Sequence, residues 1–394
     1  MFVSERQAAI TGVGQSQVGR RLGRGGLDLT IEATLEALEV SGLQASDIDG
    51  VACWPGQMPA PAGMSPTHIY ELRDALDLKL NWYCGGAEGP AQMSSVLNAC
   101  MAVATGQARH VLCFRTLTES TEAAKGNGAS RQGAVGQRVA GPFQWQVPMN
   151  AFSASNWIAM FAQRHFKLYG TRREQLAQIA LNARRNAALN PKAVYQTPLT
   201  LDDYMASRMI SSPFCLYDCD VPVDGSTAII VSHVDAAKDL KCKPVRVEAI
   251  AGVIKSATSW DQMEDFTHMS FQDGANRMWS RTDYKPKDVD FAQLYDGFSY
   301  LTLAWLEALG FCARGEGGDF VEGGHRIALD GELPINTSGG QLSAGRLHGL
   351  GFLHEAVVQL RGEGGARQVK GHPKLAVVSN GGGPLNCSAL LAID

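Results

Sequence analysis

The sequence predicts an α/β fold built as two similar halves, each a mixed sheet covered by helices. Three observations carry this reading. Apolar runs of strand length alternate with amphipathic stretches of helix length at both ends of the chain. The first and last thirds share a pattern: a helix, a turn closing on Asp47-Ile48-Asp49 or Asp288-Val289-Asp290, then a buried strand. The chain has 394 residues, 45% hydrophobic and 19% charged, which is enough for one large double domain.

Taken in order, Arg6–Gly14 reads as the first strand. LTIEATLEALEVSG from Leu29 reads as a helix with Ile31, Leu35, Leu38 and Val40 on its apolar side and Gly42 as the stop. Ser46 is the expected cap of the next turn, Val51–Trp54 a buried strand, and Pro55–Pro66 a loop. From Leu80 come a short strand, a tight glycine turn and a buried helix ending at Gly106; His110 opens another core strand. Thr118–Gly141 is polar and Gly-rich, a surface flap. Asn150–Ala188 is helical and rich in aromatics and methionine, with Phe152, Trp157, Met160 and Phe161 near its start and Met149 just before it, and with a capped helix from Thr171. A short helix and a loop lead to the strand Ala228–Ser232. Pro244–Val253 opens the second half; its helix, turn and strand follow, then the helix YLTLAWLEALGFC. KLAVVSNGGGPLNCSALLAI closes the chain as two apolar runs around a Gly-rich turn. The expected division is 1–115 for the first half, with a strand in 228–240 returning to it, 116–243 for an inserted cap, and 244–394 for the second half. The cleft between the halves is the expected ligand site.

Composition excludes several classes of function. A net charge of −4 argues against a nucleic-acid-binding face. No apolar run approaches the roughly 20 residues of a membrane span. The N-terminus lacks a basic segment followed by an apolar one, so a cytoplasmic protein is expected. Nine scattered cysteines read as buried free thiols. Cys215 and Cys219 have no second Cys/His pair with ligand spacing, and no metal site is expected.

The most informative stretch is NTSGGQLSAGRLHGLG, Asn336–Gly351. Its glycines permit positive φ and close backbone approach to a ligand. Its bland reading is a long surface turn. The surrounding motifs weigh against that reading: DCDVPVDGSTAIIV from Asp218, LYDGFSYLTLAWLEALGFC from Leu294, GDFVEGG from Gly318 and LPINTSGGQLSAGRLHG from Leu333. Together they resemble the thiolase superfamily, and within it the sterol-carrier-protein-x thiolase-like branch, over nearly the whole chain. The resemblance implies a thiolase-like fold with layered α-β-α-β-α packing and an inserted loop domain. It also implies an acyl-CoA substrate and a homodimer.

The chain departs from the thiolase pattern at four places. The family's nucleophilic Cys opens a buried helix, where the helix dipole stabilises the thiolate; that place falls near Gly89, and Cys84 is five residues earlier. Arg346 stands where thiolases carry a catalytic His, with His348 two residues on. Asn380 stands where many carry a second Cys, and Tyr295 where they carry Asn or His. These departures are similar to the thiolase-like aldolases of steroid side-chain degradation, whose Gly-Gly-x-Leu-Ser-x-x-x-x-His-Gly run is matched by Gly339, Gly340, Leu342, Ser343, His348 and Gly349. Some members have Tyr in place of Arg346.

That resemblance implies retro-aldol cleavage of a β-hydroxyacyl-CoA, with a steroid or bile-acid side chain as the acyl group. Tyr295 would exchange a proton with the β-hydroxyl, with Arg346 as its helping cation or as an enolate donor. His348 would be the second proton carrier, and Asp296 would orient Tyr295 or His348. Backbone at Gly339-Gly340 and Gly381-Gly382, with Ser343 and Asn380, would line the oxyanion and CoA pocket. No cofactor is expected in this chain; coenzyme A arrives with the substrate. A zinc-ribbon/OB-fold partner in a heterotetramer-type complex is implied, and zinc would belong to that partner. The bland readings are a core tyrosine for Tyr295, a helix cap for Asp296, a pairing of Arg346 with a carboxylate such as Glu355, and a satisfied buried His348. Two rival functions remain: an acyltransferase using Cys84, and a non-catalytic acyl-CoA- or lipid-binding subunit.

Overall fold

The computed structural model describes residues 3–54, 62–85, 93–127, 143–151, 153–255 and 262–394. The first half lays down β1 (Ala8–Gln15), α1 (Gly26–Ser41), β2 (Gly50–Cys53), α2 (Ile69–Ala75), β3 (Trp82–Gly85), α3 (Ser94–Ala104) and β4 (His110–Thr118). Next come α4 (Glu119–Ala124), α5 (Ala154–Tyr169), α6 (Arg173–Ala187), α7 (Leu201–Ala206), and a short hairpin of β5 (Met209–Ser211) and β6 (Phe214–Cys215). Strand β7 (Asp224–His233) then inserts between β4 and β1. The second half follows as β8 (Val245–Ile254), α8 (Phe271–Trp279), β9 (Phe291–Gln293), α9 (Ser299–Ala308), α10 (Gly317–Val321), α11 (Gly349–Leu360), β10 (Leu375–Gly382) and β11 (Leu385–Ala392).

The strands run in the order β3-β2-β4-β7-β1-β8-β11-β10-β9. On the first side, β3, β2 and β4 are parallel, and β7 and β1 antiparallel. The second side repeats this in mirror order: β9 is parallel to β10, then β11 and β8 are antiparallel. A parallel bridge from Ala292 to Ile335 takes the place of β3. The two sides meet where β1 pairs with β8 through Ala9–Arg246 and Ile10–Val245.

The repeat extends to individual hydrogen bonds. In the first turn the Asp47 carboxylate accepts from Gln44 N at 2.7 Å, and in the second the Asp288 carboxylate accepts from Lys285 N at 2.8 Å. Asp49 then accepts from Arg109 N and His110 N, both at 2.9 Å, pinning the start of β4. Asp290 accepts from Lys374 N and Leu375 N at 2.7 and 2.9 Å, pinning the start of β10. The Asp-x-Asp signal in the sequence is thus a clamp, made twice, that sets a strand's register.

Helix α1 covers one face of the first sheet, against β1, β4 and β7. Helices α3 and α11 lie between the halves, each touching strands of both: α3 reaches β2, β4, β7 and β8, and α11 reaches β9, β10, β1 and β7. Helix α8 covers the outer side of β8 and β11. This gives the α-β-α-β-α layering.

Some local expectations change. The buried face of α1 is Leu29, Ala33, Ala37 and Leu38, whereas Leu35 is half exposed. The helix sits so close to β1 that a Cβ on Gly12 would lie 2.4 Å from Ala37 O, and one on Gly14 2.1 Å from Ala33 O. Only small residues fit at this crossing, where Ala33 and Ala37 stand. Ser46 caps nothing, because the turn's reciprocal bonds run between Gln44 and Asp47. The expected flap begins inside the core: Thr121 N and Oγ1 both donate to buried Asp224, at 3.0 and 2.5 Å. Residues 128–141 of that flap, Pro142, Phe152, 55–61 of the Pro-rich loop and the glycine turn at 86–92 lie outside the described residues. Among the described residues, no helix is long and apolar enough to cross a membrane.

Candidate active site

The Asn336–Gly351 stretch runs from the Ile335 bridge to the start of α11, and the cap holds its backbone. Asn182 and Asn186 of α6 donate to Ile335 O at 3.2 and 3.1 Å, and Asn190 donates to Ser338 O at 2.9 Å. Asn336 itself, at φ 47°, accepts from Leu294 N at 2.7 Å and donates to Leu294 O at 2.9 Å. Its amide thereby imitates a strand partner for the segment that leads to Tyr295. Gly340–Ala344 then winds into one π-helical turn, a form that recurs at functional sites. Two glycines make the turn possible. A Cβ on Gly339 (φ 100°) would lie 2.5 Å from Ala187 Cβ, and one on Gly340 (φ 56°) would lie 1.9 Å from Asp296 Oδ2.

Tyr295 and His348 come together. The Tyr295 hydroxyl lies 3.4 Å from His348 Nδ1, both side chains are buried, and the Tyr295 ring meets Phe352 edge-on. Ser379 Oγ accepts from Tyr295 N at 3.1 Å. His348 is the residue before α11 and holds φ 59°, ψ −157°, a region that costs a residue with a side chain roughly 1–3 kcal/mol. Its Nε2 is buried and has no hydrogen-bond partner among the described residues. Burial, then Arg115 and Arg346, push its pKa well down, so the imidazole is neutral. The positive end of α11 acts in the same sense. Burial pushes the Tyr295 phenol up and Asp220 adds to it; Arg346 and the Gln341 side chain pull the other way.

A ring of charge surrounds the pair. Arg346 donates to Glu119 Oε2 at 3.1 Å and to Asp220 Oδ1 at 3.0 Å. Its partners are therefore the first residue of α4 and the segment before β7. Glu355 instead binds Thr337 and Arg367, at 2.7 and 2.9 Å. Two carboxylates hold the guanidinium, and its pKa is raised. Burial pushes Asp220 up to about 6, even with Arg346 opposing. Arg115, whose sequence context gave no hint of a role, is buried at the end of β4; it donates to Trp54 O at 3.3 Å and to Met64 O.

Asp296 neither caps α9 nor orients Tyr295 or His348. Its Oδ1 accepts from Gln341 N at 2.8 Å, fastening the π-helical turn, and its Oδ2 has no partner among the described residues. Burial pushes this carboxyl up to about 7. The Gly339 N–H donates to Asn336 O at 2.9 Å, which removes it as an oxyanion donor. Ser343 accepts from Arg184 Nε at 3.0 Å and ties the turn to α6 rather than facing a pocket. Asn380 lies against the start of α11, where a Cβ on Gly349 would come within 2.7 Å of it. Gly381 and Gly382 pair with Asn386 and Leu385 in the β10–β11 hairpin.

Cys84 sits at the edge of the sheet on β3, where it accepts from Asn98 Nδ2 at 3.4 Å. The Gly89 position lies outside the described residues. Cys100, Cys113, Cys215, Cys219, Cys242, Cys312 and Cys387 are all shifted away from the thiolate by burial. Among the described residues no group of three or more His, Cys, Asp or Glu could hold a metal. A 290 Å³ cavity beside the loop is lined by Gln341, His348 and Phe352 on one side and by Glu36 and Lys192 on the other.

Residues 252–393 match the family model described as "Thiolase C-terminal domain-like". The chain is 35% identical over 373 residues to a steroid side-chain-cleaving aldolase of Thermomonospora curvata, covering 92% of each chain. It is 34% identical over 368 residues to the 17-hydroxy-3-oxo-4-pregnene-20-carboxyl-CoA lyase of Mycobacterium tuberculosis, covering 90% of this chain and 92% of that one. Among solved structures it is similar to an Ltp2-ChsH2(DUF35) aldolase, with TM-score 0.87 and 31% identity over 98% of both chains.

Proposed function

The chain belongs to the thiolase superfamily, in its sterol-carrier-protein-thiolase-like branch, and on that footing we propose that it is a carbon–carbon lyase acting on acyl-CoA. The reaction is the retro-aldol cleavage of a β-hydroxyacyl-CoA carrying a steroid or bile-acid side chain. It releases a short acyl-CoA and a ketone or aldehyde. The observation that carries this reading is the buried Tyr295–His348 contact, which pairs two proton carriers as retro-aldol chemistry needs and requires no covalent nucleophile.

The proton balance fits a closed relay. The β-hydroxyl gives its proton to the Tyr295 oxygen as Tyr295 passes its own to His348 Nδ1. The Cα–Cβ bond breaks, the β-carbon leaves as a carbonyl, and the bonding pair moves into the thioester as an enolate. The proton held on His348 then returns through Tyr295 to Cα. Burial, two arginines and a helix N-terminus make His348 a reluctant carrier, which makes its protonated form a strong acid for that last step. Arg346, balanced by Glu119 and Asp220, favours the phenolate without becoming a bare charge in the pocket. The enolate oxygen is left to the Gly340 backbone and Asn380.

Coenzyme A enters as part of the substrate, and the chain itself needs no cofactor. The partner reading is a zinc-ribbon/OB-fold protein in a heterotetramer-type complex, with any zinc on that partner. A homodimer would use the free edge of β3, where Tyr83 and nearby Tyr70 expose about two thirds of their surface. Tyr295→Phe tests the core of the reading: cleavage of a β-hydroxyacyl-CoA should fall by at least about a hundredfold, with acyl-CoA binding retained. Near-normal turnover would remove Tyr295 from the chemistry. Running the assay with and without candidate partners separates an active subunit from a binding one. Mass spectrometry for an acyl group on Cys84 tests the acyltransferase alternative.

A further inference from the structure

Gln341 takes no part in the relay above, yet it bonds to His348, one of the two proton carriers. It lies in the π-helical turn, is 2% exposed, and lines the cavity beside His348. Its backbone N–H donates to Asp296 Oδ1 at 2.8 Å, and its carbonyl accepts from Val221 N at 3.0 Å, so both ends of the residue are fixed. Its side-chain Oε1 accepts from His348 N at 3.2 Å. That is the N–H of a residue held in a costly backbone conformation. Once Oε1 faces His348 N, the carboxamide orientation is decided, and Nε2 must point the other way. Nε2 is buried and makes no hydrogen bond of normal length to any described residue. The Gln341 side chain nonetheless favours the ionised form of the Tyr295 phenol. A buried amide donor without an acceptor is costly, and negative charge arising beside it would offset that cost.

We propose that Gln341 is a positioning residue for the cleavage: its oxygen holds His348 in place, and its NH2 group donates to the Tyr295 oxygen as that oxygen gains negative charge. The amide answers for both proton carriers at once, which a hydrocarbon of the same size cannot do. Leu or Met there would keep the packing and lose both bonds; Glu would keep the acceptor for His348 N and lose the donor. The proposal rests on the assignment of Tyr295 as the group that receives the β-hydroxyl proton.

The test is the pH dependence of kcat/KM for a β-hydroxyacyl-CoA, measured on the full chain with any partner it requires. The variants are Gln341→Glu, Gln341→Met, Tyr295→Phe and each Gln341 variant combined with Tyr295→Phe. Both Gln341 variants should lose about 10- to 100-fold, and the rising limb of the profile should move upward by about one pH unit. Neither should lower the residual rate of Tyr295→Phe further. A shift in Gln341→Glu alone would trace to its added charge and overturn the donor role. So would equal fractional losses in the presence and absence of Tyr295, because a merely structural residue behaves that way. If Tyr295→Phe is inactive while both Gln341 variants keep the wild-type rate and profile, only the present inference falls. If Tyr295→Phe keeps normal turnover, the assignment of Tyr295 falls and takes this one with it.

Discussion

Replacing Asp296 by Asn should make the protein more stable at neutral pH and less active. The carboxyl is fully buried, one oxygen accepts from the backbone N–H of Gln341, and the other has no partner among the described residues. Its pKa is pushed from 3.8 up to about 7. A raised acid pKa means the folded state holds the proton more tightly than the unfolded one. The contribution is therefore fully present below about pH 4 and is lost as pH rises through about 7. A shift of about three units corresponds to about 4 kcal/mol at most. About 1.7 kcal/mol of it is already spent at pH 5, and nearly all of it at pH 8. Asn carries no titration. Any fixed cost of its NH2 group beside Gly340 is the same at both pH values and drops out of the difference. Urea unfolding of both proteins should show the variant gaining about 2.5 kcal/mol on the wild type between pH 5 and pH 8. A gap that stays constant across that range would mean Asp296 ionises freely in the fold, and the account of a destabilised carboxyl at the turn would be wrong.

Two further outcomes follow from the same geometry. Gly340→Ala should abolish cleavage and lower the melting temperature, because its Cβ would overlap Asp296 Oδ2 in a backbone conformation that already favours glycine; a variant with normal activity would show that the turn is not held against Asp296. Glu307→Gln should cost about 3 kcal/mol or more, because buried Glu307, held down at about 2, binds His165, His268 and the N–H groups of Gly315 and Gly317. Its depressed pKa gives stability present above the unfolded value of 4.5 and lost as pH falls toward 2, so denaturation midpoints of the two proteins should converge in acid.

What could be read from the sequence was what repeats or has a fixed local form. The Asp-x-Asp turns announced two related halves because the first aspartate of each makes a short-range bond to the residue three before it. The strands and most helices followed from apolar periodicity. The buried side of α1 did not: it is set by Gly12 and Gly14 on a strand that the helix meets only after folding. Tyr295 and His348 were chosen by motif position, and the fold brings them together. The partners of Arg346 were out of reach, since Glu119 and Asp220 are 227 and 126 residues away along the chain. Arg115 and Gln341 were missed for a related reason. An arginine in a strand and a glutamine between two glycine-rich segments look ordinary until burial reveals which of their atoms have partners.

The doubled aspartate clamp has a consequence for experiment. Asp49 pins β4 as Asp290 pins β10, with the same kind of bonds at the same point of each half. One clamp precedes β9, which leads on to Tyr295; the other precedes β2, which leads on to Trp54. The molecule thus carries its own reference arm. The same lesion placed in each copy disturbs equivalent architecture, while only one lies next to Tyr295, so comparing the two separates effects at the proposed site from effects on the scaffolding without recourse to a second protein.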